Sequence, residues 1–174
     1  MEIEIRFLDF LQGIRTPLGD EIIPLITKLG NAGMIWILLT VILLMIPGMR
    51  RSGMLMAAAL CIDFVLCNGV LKHLFARTRP CDVNAAVELL IARPVDFSFP
   101  SGHTAASFAS VSALYFAGEK RLFRFAFVLA VLIAFSRLYL YVHYPTDILG
   151  GIVIGVISGY LAGRILNASV FSRK

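Results

Sequence analysis

Charge is what this chain has little of. Asp, Glu, Lys and Arg make up only 16% of its 174 residues, against 59% hydrophobic. A soluble domain carries about a quarter charged residues and is about half apolar. Mean hydropathy is +0.84. So apolar and short a chain excludes a large water-soluble domain, and one integral membrane domain over residues 1–174 is expected. Cysteine is scarce as well. Cys61 and Cys67 fall in an apolar segment, Cys81 stands alone, and no CxxC or Cys/His ligand spacing occurs. Neither a disulfide framework nor a metal site is expected, and the chemistry should need no cofactor. No cleavable signal peptide is expected, because the opening Met-Glu-Ile-Glu-Ile is acidic where a signal is basic. The net charge of +5 does not point to nucleic acid, since the bases are scattered among apolar runs rather than gathered in a stripe.

What is present is an all-α pattern of long apolar segments. Residues 3–14 place Ile3, Phe7, Phe10, Leu11 and Ile14 on one helical face, with Glu2, Arg6, Asp9 and Gly13 opposite. That reads as an amphipathic helix in the membrane interface. Five spans should follow, within residues 22–47 and at about 53–72, 101–117, 122–140 and 148–166. The second carries Asp63 and Asn68; an intramembrane acid costs roughly 2.5–3.5 kcal/mol on insertion scales and should face the bundle interior. The fifth carries Gly151, Gly155, Gly159 and Gly163, a smooth i, i+4 face for close helix packing. Residues 73–100 form the longest loop, and loops of that length are usually functional.

Five spans place the connections on alternating sides. One side holds Arg50, Arg51, Lys120, Arg121, Arg124, Arg164, Arg173 and Lys174. Lys and Arg divide equally between the sides until Lys72, Arg79 and Arg137 are set aside as functional. The first side then becomes cytoplasmic by the positive-inside rule. Whichever way the protein inserts, the end of span two, the start of span three, the end of span four and the start of span five share one surface. Those four places hold Lys72 with Arg79, Ser101-Gly102-His103, Ser136-Arg137, and His143 with Asp147.

Such a cluster suits a phosphate. Lys72, Arg79 and Arg137 supply three cations, two of them guanidiniums that can grip phosphate oxygens bidentately. Pro100-Ser101-Gly102-His103 opens a helix, whose free N–H groups and dipole add anion affinity. Asp147, four residues after His143, can hold one imidazole nitrogen and leave the other free as a nucleophile. His103 can give a proton to the leaving oxygen. Any one of these side chains could be a snorkelling anchor at a span end, but the bland explanation weakens when all of them collect on one side.

Lys72-x6-Arg79-Pro80, Pro100-Ser101-Gly102-His103 and Ser136-Arg137-x5-His143-x3-Asp147 together resemble the three-part signature of the type-2 phosphatidic acid phosphatase superfamily. The motifs cover residues 72–147, in order and without departure. The resemblance implies a metal-independent phosphatase with a phosphohistidine intermediate on His143, oriented by Asp147, and with His103 as acid. It implies that Lys72, Arg79, Ser101, Gly102 and Arg137 hold the phosphate, Ser136 being a weaker candidate. Small bacterial members of that family point to undecaprenyl diphosphate first, then phosphatidylglycerophosphate or phosphatidate. The expected setting is the plasma membrane, multi-pass, with the site on the extracytoplasmic face and a membrane lipid as partner. Many members have six spans where five are expected here. The reading from another class is a lipid-phosphate binding or transport module that does no chemistry. The sequence leaves the oligomeric state open.

Overall fold

A computed structural model of the chain describes residues 2–171, by backbone alone from 167 on. The bases Arg173 and Lys174 that entered the sidedness argument lie outside the described residues. The fold is all-helical.

Helix α1 (Glu2–Gly13) is followed by α2 (Pro17–Leu29). Thr16 caps α2 by accepting from the Gly19 N–H at 3.1 Å, and Pro17 occupies its first turn. A short 3-10 turn, Asn31–Gly33, then leads into α3 (Met34–Met45). The first span was expected as one piece. It is broken instead, with α2 and α3 meeting at 45°. Gly33 at φ +68° supplies the left-handed backbone that the break requires.

Helix α4 (Arg50–Asp63) runs through a π-helical stretch, Phe64–Leu71, into the single turn of α5 (Lys72–Phe75). The i→i+5 pattern of a π turn places residues five apart on one face. Asp63 and Asn68 consequently line the same cavity, and the buried Asp63 faces inward as its charge requires. Ala76 at φ +41° ends α5. Within the expected 73–100 loop, α6 (Pro80–Val83) is a further single turn. Three longer helices complete the chain: α7 (Gly102–Ala117), α8 (Lys120–Tyr139) and α9 (Pro145–Phe171).

Among the described residues, three helical stretches are long and apolar enough to cross a membrane, or four if the bent α2–α3 pair is one span. The expected count of five includes α7. That helix has 16 residues, about 24 Å, against a hydrocarbon core of about 30 Å. It is the central post of the bundle: every residue from Thr104 to Leu114 except Ala106 is buried. Its polar side chains are satisfied locally. Ser107 and Ser110 donate to the carbonyls of His103 and Ala106, and Trp36 Nε1 donates to Ser107 Oγ at 2.9 Å.

Helix α1 lies across the segment that joins α8 and α9, with four of the five residues of its expected apolar face turned outward. Leu8 and Leu11 pack inward against Leu140, Tyr141, Val142 and Tyr144. Ile3, Phe7, Phe10 and Ile14 point out. Both faces of this helix are apolar, and it uses one for the protein and leaves the other for the bilayer interface.

The glycine stripe of α9 packs on α7. A Cβ at Gly155 would lie 2.5 Å from the Ala105 carbonyl oxygen, and one at Gly159 would lie 2.4 Å from Ser112 Cβ, whereas Gly163 has room at 3.5 Å. Gly155→Ala should therefore lower the thermal midpoint in detergent by roughly 2–10 °C. Gly163→Ala should leave it unchanged or slightly raised, because alanine is the better helix former. Thermal unfolding of the two purified variants checks the difference, and equal effects would contradict the packing.

Candidate active site

The segment between α8 and α9 is the centre of the site. Loop residues usually run over a surface, yet Leu140, Tyr141, Val142, His143 and Tyr144 are all buried. Tyr141 adopts φ +59°, and its hydroxyl donates to Asp9 of α1 at 2.7 Å. Gln12 donates to the Tyr139 carbonyl at 2.9 Å. Helix α1 thus closes the segment from outside, and His143 is held with its ring turned inward.

Arg79 Nη1 lies 3.0 Å from His143 Nε2. A guanidinium can only donate, so Nε2 carries the lone pair and the proton sits on Nδ1. Nδ1 faces Asp147 Oδ2 at 3.5 Å. This is long for a hydrogen bond, and Nδ1 has no other partner among the described residues. Asp147 is wholly buried and already well supplied with donors. Ser98 Oγ at 2.5 Å and the Tyr144 N–H at 2.8 Å both reach Oδ2, while Arg77 reaches Oδ1 at 2.6 Å. The sequence pattern foresaw the His143–Asp147 pair but not these three supports. Burial, then the positive charge of Arg79, Arg137 and Lys72, holds the His143 imidazole well below its ordinary value. At neutral pH it is an uncharged base.

The expected phosphate ligands mostly converge. Lys72, Arg79, Gly102, His103, Arg137 and His143 line one cavity of ≈ 1290 Å³, enclosed by α2, the 3-10 turn, α3, the α4–π segment and residues 90–96. Arg137 donates from Nη1 to Thr27 Oγ1 at 2.6 Å, and its buried Nε has no partner among the described residues. That leaves a donor to spare for an anion. His103 Nε2 meets Asn31 Oδ1 at 3.0 Å, and a Cβ at Gly30 would come within 2.8 Å of its ring. The bend between α2 and α3 therefore shapes the seat of His103. Ser101 is placed differently from the expectation. It does not line the cavity. Its N–H donates to the Asp147 carbonyl at 3.1 Å, and its hydroxyl accepts from Thr104 at 3.0 Å. Ser136 likewise turns its hydroxyl to the Ile133 carbonyl.

Asp96 went unassigned in the sequence. Its carboxylate bridges Lys72 and Arg79, at 2.6 Å from Arg79 Nη2. Burial works against its charge, but Lys72 and Arg79 outweigh it and hold the carboxyl well below the usual carboxylate range. Two oxygens spread over two cations is the arrangement that a phosphate would take. The sequence signal was an acid in a cation-rich loop, immediately before the Pro100-Ser101-Gly102-His103 motif. Thr27 and Asn31 gave a weaker one, as polar residues at the end of an apolar run. No group of three or more His, Cys, Asp or Glu side chains suited to a metal occurs among the described residues.

A model of the PAP2 superfamily matches residues 52–170, more than half of the chain. The chain belongs to that superfamily. Among curated relatives, an undecaprenyl-diphosphatase of Sulfolobus acidocaldarius is 30% identical over 131 residues, which are 75% of this chain and 63% of that protein. The match thus spans less than two thirds of that relative's length. Two solved structures are alike over most of both chains. Aquifex aeolicus LpxE gives a TM-score of 0.80 at 28% identity, covering 92% of this chain and 94% of its own. A transmembrane PAP2-type phosphatidylglycerolphosphate phosphatase from Bacillus subtilis gives 0.79 at 29% identity, covering 96% and 86%. All three motifs lie within the matched PAP2 region.

Asp96 should compete with phosphate for Lys72 and Arg79. Asp96→Asn removes the competing charge, so inorganic phosphate should bind on the order of tenfold more tightly by titration calorimetry in detergent. Weaker binding would mean that Asp96 instead holds the cations in place for the ligand.

Proposed function

We propose that this protein hydrolyses a phosphate or diphosphate headgroup on a membrane lipid through a phosphohistidine on His143. The observation that carries the reading is the contact of Arg79 with His143 Nε2. It leaves the lone pair of a neutral imidazole among three cations, with Nδ1 toward a buried carboxylate.

The reaction divides into two displacements. His143 Nε2 attacks phosphorus, the bond from phosphorus to the lipid oxygen breaks, and His103 protonates that oxygen as it leaves. Lys72, Arg79 and Arg137 stabilise the charge on the equatorial oxygens, with the N-terminus of α7 at Gly102 behind them. Asp147 balances the positive charge that the imidazole gains. In the second step His103, now neutral, takes a proton from water. The resulting oxygen attacks phosphorus, the P–N bond breaks, and inorganic phosphate leaves with His143 restored. Every proton is accounted for within the two histidines, so no metal is required for balance.

Undecaprenyl diphosphate is the first substrate to test. Its support is the archaeal relative that carries that name, together with a cavity walled largely by apolar residues of α2, α3 and α4 that would accept an isoprenoid tail. The structural likeness to a phosphatidylglycerolphosphate phosphatase favours that phospholipid as the second. The membrane is proposed to be the plasma membrane, with the site on its outer face. This follows from Arg50, Arg51, Lys120, Arg121, Arg124 and Arg164 at the opposite ends of the helices.

Purified protein in detergent with EDTA should release phosphate from at least one of undecaprenyl diphosphate, phosphatidylglycerophosphate and phosphatidate. His143→Ala should lose about 10³-fold or more in kcat, and His103→Gln about 10²–10⁴-fold. Full activity in the His143 variant, or activity only with added metal, would overturn the mechanism. Phosphate binding without turnover on any lipid would favour the non-catalytic reading. For sidedness, a cysteine replacing Glu88 in a variant lacking Cys61, Cys67 and Cys81 should react with an impermeant thiol reagent on intact cells. Labelling only after lysis would reverse the orientation.

A further inference from the structure

One partly exposed cation takes no part in the steps above. Arg77 is absent from the cavity lining, so it does not touch a phosphate there. Its guanidinium lies behind Asp147, on the side away from His143. Nη1 donates to Asp147 Oδ1 at 2.6 Å and to Thr146 Oγ1 at 2.7 Å, and Nη2 donates to Glu4 Oε2 at 2.7 Å. The guanidinium carbon sits 3.9 Å from the centre of the Tyr144 ring, a cation–π distance. Glu4 in turn accepts from the Thr146 hydroxyl at 2.6 Å and from its N–H at 3.2 Å through its other oxygen. Four side chains from α1, the α5–α6 link and the start of α9 therefore close one ring of charge-assisted bonds.

We infer that Arg77 is a positioning residue for the nucleophile, and that Glu4 completes the device. The inference rests on the proposed phosphohistidine reading of the site. A carboxylate can swing about its terminal torsion, which is a broad and soft one. Arg77 holds Oδ1 while Ser98 and the Tyr144 N–H hold Oδ2, so Oδ2 stays facing His143 Nδ1, on the opposite side of the ring from the Arg79 contact. Charge makes the case for Glu4. Arg77 alone would cancel the charge of Asp147 just where the phosphorylated imidazole needs it. With Glu4 included, the Arg77 guanidinium is shared between two carboxylates instead of being spent on Asp147 alone. Burial and the two carboxylates act in opposite senses on Arg77, and the carboxylates keep its proton on firmly. The N-terminal helix becomes part of the catalytic support.

Two measurements test this, and the first needs no turnover. In protein labelled with ¹⁵N-histidine, the ring shifts of His143, assigned by comparison with His143→Gln, should report an Nδ1-protonated ring. Arg77→Ala should shift the Nδ1–H resonance as Asp147 loses its hold on that side of the ring, with Nε2 still accepting from Arg79, and Arg77→Lys should restore most of the original signal. An unchanged Nδ1–H resonance in Arg77→Ala would overturn the inference even if no lipid is hydrolysed. If instead the wild-type protein releases no phosphate while this shift occurs, the proposed reaction fails and the positioning role stands.

The second measurement is kinetic. Arg77→Ala should lower kcat on the order of 10²-fold, as a misplaced reacting group does, with KM and phosphate affinity nearly unchanged. Glu4→Gln should lower kcat by about threefold to tenfold, and the double variant should be no slower than Arg77→Ala alone. Additive losses, or a change confined to KM, would show that the ring merely holds the fold together. Should Arg77→Ala not fold, Arg77→Gln carries the same two readouts.

Discussion

Three cations held in one cavity repel one another, and much of this structure is the answer to that repulsion. Lys72, Arg79 and Arg137 are nearly inaccessible to solvent, where charges of one sign interact far more strongly than in water. Without a ligand, Asp96 offsets two of them. Arg137, with no carboxylate in its hydrogen bonds, settles for a hydroxyl from Thr27. Burial, reinforced by the same field, holds the His143 imidazole well below its ordinary value. A bound phosphate would offset the same charges. The mutual repulsion of the three cations is what favours an anion there.

The charged motifs were legible because charge is so costly in an apolar chain. Lys72, Arg79, His103, Arg137, His143 and Asp147 had no reason to sit at span ends, and spacing along the chain was enough to gather them on one surface. Ser101 was misleading for the same reason that it was noticed. Its place in a helix-opening motif suggests a ligand for phosphate, whereas its N–H ties the start of α7 to α9 and its hydroxyl accepts from Thr104 within α7. Asp96, Ser98, Arg77 and Glu4 were present in the sequence as ordinary polar residues of a loop and of the first helix. Their partners lie 17 to 142 positions away in the chain, and no local period encodes such pairings.

The apolar segments gave the helices but not their geometry. Residues 22–47 read as one span with Lys28 and Asn31 near its start, yet a 45° bend falls there. In α1, apolar residues occur on every side, so periodicity could not say which face meets protein and which meets lipid. Leu8 and Leu11 settle it by packing on the buried 140–144 segment. The π stretch from Phe64 to Leu71 left no mark in hydropathy either. Its effect is to bring Asp63 and Asn68 onto the face that Lys72 also uses.

The bend in the first span ties two events together. Thr27 lies just before it and Asn31 within it, and these hold Arg137 and His103 respectively. The same stretch forms one wall of the cavity. If that wall swings to admit a lipid from the side, it acts as a lever with its fulcrum among the reactive groups. Neither the Arg137 guanidinium nor the His103 imidazole can keep its resting partner while the wall moves. Entry of the tail and release of these two side chains are then one mechanical act.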